Sequence, residues 1–159
     1  MKQPTVFLRI TLVIMGLAIL ALCAFVLPAI HDEWPKQFPA VAYLQYPVIA
    51  ALSATTISFF IALYQAWRLL DYIDKNMAFS QLSVKSLKNI KYCALVISGF
   101  YAASLPLIYY IAETDDAPGL LVIGLVFTFA PLVIAVFATV VQKLLQNAID
   151  MKSENDLTV

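Results

Sequence analysis

"LLVIGLVFTFAPLVIAVFATVVQ", residues 120–142, is 23 residues long and carries no charge. A helix rises about 1.5 Å per residue, so about 20 residues cross a ~30 Å hydrocarbon core. The stretch is apolar throughout rather than at alternate positions, which argues against a barrel strand and for a membrane-spanning helix. Residues 10–30, 46–67 and 92–112 are also charge-free, at 21, 22 and 21 residues. The spans cover about residues 8–30, 46–70, 90–112 and 119–143, with a connector over 71–89 and a tail over 144–159. The sequence therefore predicts an all-α membrane protein, a single integral domain over 1–159, folded as an antiparallel four-transmembrane-helix bundle.

Composition agrees. The chain of 159 residues is 62% hydrophobic and 13% charged, with a mean hydropathy of +0.86. A soluble domain carries about 25% charged residues, and a small fold cannot hide so much apolar surface from water. Net charge is zero, so direct nucleic-acid binding is not expected. Lys2 and Arg9 flank the first stretch as in a signal peptide, but its apolar run exceeds the about 7–15 residues of a signal core. "LALC", ending at Cys23, places Leu22 where a lipoprotein box needs a small residue. The first stretch reads as a retained helix.

Orientation follows from the basic residues. Lys36 is the only one between residues 31 and 45, and residues 113–119 have none. The other nine of ten lie at the N-terminus, the middle connector and the C-terminus. The positive-inside bias puts those regions and both termini in the cytoplasm of a bacterial cell with this chain in its cytoplasmic (inner) membrane. Trp34, Tyr43, Tyr46, Tyr109 and Tyr110 would mark the outer interface, and Tyr64, Trp67, Tyr72 and Tyr92 the inner one.

The inner connector carries the most specific pattern. The second helix should run on to about Lys75, with Asp71 and Lys75 as an i,i+4 pair. Residues 76–79 read as a turn, Ser80 as an N-cap with Phe79 stapled onto Val84, and Gln81 as the start of the third helix. Leu82, Leu87, Ile90 and Ala94 should turn toward the bundle. Lys85, Lys88 and Lys91 lie on a drifting outer face, where they anchor the helix end against lipid phosphates. A sharper reading makes them a docking surface for a cytoplasmic partner. "KLLQNAIDM", residues 143–151, continues a helical pattern past the last span, so helices 2, 3 and 4 should project together.

"FSQLSVKSLKNI" leading into a span, with a terminal "ENDLTV", resembles a family of small bacterial four-helix membrane proteins known as domain of unknown function 2975. The likeness covers most of the chain and rests on its second half and tail. Its matching positions are Phe79, Ser80, Leu87, Lys88 and Ile90, then Glu154, Asp156, Leu157 and Thr158. Members often appear beside a small helix-turn-helix regulator, so the resemblance implies a cytoplasmic regulator as partner. It implies no catalytic residues.

No chemistry-bearing constellation emerges. The four charge-free stretches hold no ionisable carboxylate or ammonium of the kind that marks a transport pathway. Cys23 and Cys93 sit at different depths and no C-x-x-C occurs, so neither a disulfide nor thiol redox chemistry is expected. His31, Asp32 and Glu33, like Glu113, Asp115 and Asp116, read as solvated clusters at the outer surface. Ser53, Thr55, Thr56 and Ser58, with Ser98, Tyr101 and Ser104, read as contacts between helices, as do Gly99 and Ala103. Pro106 and Pro131 should kink helices 3 and 4 and open a cavity near Tyr101 suited to a lipid or small apolar ligand.

We therefore expect a non-enzymatic protein with no cofactor and no metal, partnered by the bilayer and by a cytoplasmic regulator. The candidate partner-binding residues are Phe79, Ser80, Lys85, Leu87, Lys88, Glu154, Asp156, Leu157 and Thr158. A homodimer through Gly99 and Ala103 is allowed, as is a monomer. An immunity or stress-protection protein that meets a membrane-active toxin through the outer clusters is the alternative. A small oligomeric channel or transporter ranks below it.

Overall fold

The computed structural model describes the backbone of residues 2–158 and the side chains of residues 5–155 and 157. Helix α1 covers Lys2–Gln37, a 3₁₀ corner covers Pro39–Leu44, and α2 covers Gln45–Asp74. After two short turns come α3, Gln81–Thr114, and α4, Gly119–Thr158. All four are long and apolar enough to cross a membrane. The fold is the antiparallel four-helix membrane bundle that the sequence predicts.

The two interhelical turns share one device. Asn76 and Asp116 hold φ of 59° and 53°, the left-handed conformation that ends a helix. The Met77 N–H donates to the Tyr72 carbonyl at 2.7 Å and the Asn76 N–H to the Ile73 carbonyl at 3.2 Å. At the other turn Ala117 donates to Ala112 at 2.8 Å and Asp116 to Glu113 at 3.3 Å. Each pair satisfies carbonyls that the helix end leaves open. Asn and Asp stand where glycine is usual, and they tolerate the conformation better than other side chains do.

Packing is by chain neighbours only. α1 meets α2, α2 meets α3, and α3 meets α4 most extensively; no Cα of α1 comes within 8 Å of α3 or α4 among the described residues. Along α1, only every third or fourth residue from Thr5 to Trp34 is shielded, in the series Thr5, Arg9, Leu12, Gly16, Ile19, Cys23. That is one narrow seam, laid on α2. α4 repeats the pattern with Leu121, Gly124, Thr128, Pro131, Ala135 and Ala138. Its seam is built of small residues, which let helices approach closely in lipid. A Cβ at Gly124 would sit 3.0 Å from Ile108. The remaining faces expose large apolar side chains, among them Phe7, Phe25, Val133 and Phe137, as lipid contact requires.

Polar contacts join the helices within the spans. Cys23 Sγ lies 3.1 Å from Thr56 Oγ1, linking α1 to α2. The Ser98 hydroxyl donates to the Thr128 carbonyl at 2.7 Å, linking α3 to α4. Tyr101 of α3 stacks on Phe127 of α4 with ring centroids 5.4 Å apart. Thr56 and Ser98 thus join helices, as expected, whereas the Thr55 and Ser104 hydroxyls donate to the Leu52 and Phe100 carbonyls of their own helices; both cysteines are free.

Several local expectations are corrected. Trp34 is buried at 8% exposure: α1 runs on through Gln37 and the chain folds back over the ring. Its Nε1 donates to the Val41 carbonyl at 3.0 Å, and its ring lies 5.0 Å from that of Phe38. Asp71 pairs with Arg9 rather than Lys75, because α1 brings a guanidinium to the end of α2. Leu82 is 43% exposed, since Ser83, Val84, Ser86 and Leu87 take the inward face. Gly99 has nothing within 4 Å of its would-be Cβ, and Ala103 is exposed, so this pair joins no helices within the chain.

Candidate functional site

The α2–α3 turn, the start of α1 and the end of α4 share one pole, which holds nine of the ten basic residues. The opposite pole holds five of the ten acidic ones. At the basic pole, Ser80 is extended, with φ −133° and ψ 161°, and its side chain makes no N-cap bond. It donates instead to the Met77 carbonyl at 2.6 Å. Ser83, fully buried, donates to the same carbonyl at 3.2 Å. Two serines thus tie the start of α3 back to the turn. Phe79 is 62% exposed, so no staple covers it.

The predicted partner-binding residues separate into two groups. Phe79, Lys85, Lys88, Glu154 and Leu157 are exposed, and Ser80 is half-buried. Leu87 is buried on the face that packs inside the bundle, so it is withdrawn as a contact for a partner. The side chains of Asp156 and Thr158 lie outside the described residues. The lysines bend toward aromatic rings: Lys88 Nζ lies 6.0 Å and Lys91 Nζ 5.5 Å from the centre of the Tyr92 ring.

α4 outruns its neighbours at this pole. Its 40 residues make a rod of about 60 Å, twice the hydrocarbon core. Leu145, Gln146, Ala148 and Ile149 are still half-shielded, but from Asp150 on every described side chain is exposed. Gln146 donates to Asp150 at 3.0 Å and supports this end of the helix from within.

Sequence reading missed a clamp at the same pole. Arg9 bonds Asp71, and bonds Asp74 at 3.1 Å, across the α1–α2 seam. Thr5 donates to Asp74 at 2.8 Å, and the guanidinium lies 4.6 Å from the centre of the Trp67 ring. Two carboxylates three residues apart at the end of one span, and a lone arginine at the start of another, were the available signal. Arg68 is held differently, by the hydroxyls of Tyr64 at 3.0 Å and Tyr72 at 2.9 Å.

At the acidic pole, His31, Asp32, Glu33, Glu113, Asp115 and Asp116 are all exposed. No group of three His, Cys, Asp or Glu among the described residues could hold a metal ion. Between the poles lie two apolar cavities. A smaller one of about 130 Å³ lies under Trp34, between α2 and α3. A larger one of about 350 Å³ is bordered by all four helices. Thr55 and Tyr101 line both.

Comparison with known proteins follows the same lines. An uncharacterized membrane protein of Bacillus subtilis (strain 168), YoaS, is 60% identical over 158 residues, covering 99% of each chain. No solved structure matches. The model of a family described as a protein of unknown function, DUF2975, matches residues 32–159. The match leaves out most of α1, the helix with the narrowest seam. This chain is a membrane protein of the DUF2975 family.

Proposed function

We propose that the protein is a non-enzymatic interaction protein of the bacterial cytoplasmic membrane, with its basic pole and both termini in the cytoplasm. The overhanging end of α4, with Glu154 and Leu157, and the exposed Phe79, Lys85 and Lys88 present a docking surface to a soluble partner. The observation that carries this reading is the exposed end of α4: from Asp150 on, all its described side chains are exposed. A helix end whose described side chains stay exposed offers its surface to another protein. The resemblance that implies a helix-turn-helix regulator names the partner class to look for first. The protein would hold such a regulator at the membrane or relay a signal to it.

The test is a crosslinked pull-down of the tagged protein from native membranes, beside a chain that ends at Met151. A soluble protein captured by the full chain and lost on truncation supports the reading. Neutralising Lys85 and Lys88 should weaken the same capture. Equal capture by both chains, or none by either, would overturn it.

A further inference from the structure

The bundle lacks its fourth side, and the gap has a measurable shape. Among the described residues no Cα of α1 comes within 8 Å of one in α4, yet Met15 and Ile19 of the one and Phe127, Pro131 and Ile134 of the other line the same cavity of about 350 Å³. α2 and α3 form its floor. We propose that this cleft is a lateral lipid site that holds one acyl chain of an anionic glycerophospholipid drawn from the leaflet at the basic pole.

Size selects the occupant. A spanning helix about 10 Å wide and 30 Å long fills roughly 2,400 Å³, far more than the cleft offers. A helix of a second copy or of another protein could lie only across the mouth of the cleft, whereas a single hydrocarbon chain fits within it. Charge selects it too. No charged side chain lines the cleft, and a charge at that depth costs about 2.5–3.5 kcal/mol or more. The cleft's three polar side chains already face partners in the protein: Thr55 and Thr56 both donate to the Leu52 carbonyl, at 2.9 and 2.8 Å, and the Tyr101 hydroxyl meets Thr55. A polar head has little to meet there. Water is as poorly served, and a cleft that faces hydrocarbon fills with hydrocarbon.

Depth selects the leaflet. On α3 the lining begins at Ile90 and ends at Tyr101, a rise of about 16 Å. Ile90 stands on the same helical turn as Lys88 and Lys91, at the level where lysines meet lipid phosphates. Half of a ~30 Å core is about 15 Å, so the cleft spans one leaflet from its headgroups to the midplane. There Tyr101, stacked on Phe127, stands at the deep end. The pole at which the chain enters holds nine of the ten basic residues, which favours an anionic headgroup.

The test uses the full chain, reconstituted in vesicles of phosphatidylglycerol and phosphatidylethanolamine and released for native mass spectrometry. Wild type should retain one phosphatidylglycerol. The double variant Ala66→Phe/Ala130→Phe fills the cleft and should lose it. Ala102→Phe, on the exposed face of α3, should keep it. Retention by the filled variant, a bare wild-type chain, or a neutral lipid as the sole retained species would each overturn the proposal. A second measurement needs no variant: phosphatidylglycerol with a diazirine near its chain end is photolysed on wild-type protein. Labelling of Phe59, Tyr101 or Phe127 supports the site. Labelling confined to the outer face of α3, around Val96 and Gly99, overturns it.

Discussion

Gly124 and Gly99 lie in similar charge-free stretches, and the packing of α3 on α4 depends on only one of them. At Gly124 an added Cβ would meet Ile108 at 3.0 and 3.2 Å, whereas at Gly99 nothing lies within 4 Å. Gly124→Leu should therefore destabilise the bundle by about 1–3 kcal/mol through overpacking. Gly99→Leu, which places the side chain against lipid, should stay within about 0.5 kcal/mol of wild type. Unfolding titrations in mixed micelles would measure both, and equal losses would contradict the α3–α4 seam. Asn76 makes the matching backbone case. At φ 59°, Asn76→Val should cost about 1–2 kcal/mol, while Asn76→Gly costs nothing.

At the scale of the element, α1 and α4 use their length differently. α1 offers one narrow seam to one neighbour and is pinned at its start by Arg9. α4 packs along its whole span and then leaves the bundle. The single hydrogen bond from Ser98 to Thr128 joins the strongest pair, yet such bonds in lipid average about 0.6 kcal/mol and reach about 1.7. Ser98→Ala should lower unfolding free energy by that amount and leave the fold intact. A chain ending at Met151 should unfold at the same denaturant concentration as the full chain, because the described side chains beyond it are exposed. A marked shift would show that the end of α4 is held by its own bundle.

At the scale of the whole molecule, the charge pattern predicts the orientation. Reporter fusions at either terminus and within residues 75–80 should report the cytoplasm. Fusions within residues 38–44 and 115–118 should report the opposite side. A terminus on the far side would refute the orientation and with it the cytoplasmic docking surface.

Composition and the four charge-free stretches determined the fold class, since each stretch is long enough to span and none alternates. The start of α3 at Gln81 was legible too, in the polar run that precedes a lysine-spaced apolar one. Less of the candidate site could be read. The exposure of Lys85 and Lys88 followed from helical spacing, but that spacing did not place Leu87 inside the bundle, Trp34 under the corner, or Arg9 between two carboxylates. Periodicity fixes which residues share a face, whereas partners depend on which helix that face meets. In lipid the apolar faces of four such helices look alike, so the sequence could not say that α2 would be the one long helix on which α1 lays its seam. The open seam between α1 and α4, and the cleft within it, were decided only by the tertiary structure, where small residues close the α3–α4 pair and no matching seam draws α1 to α4.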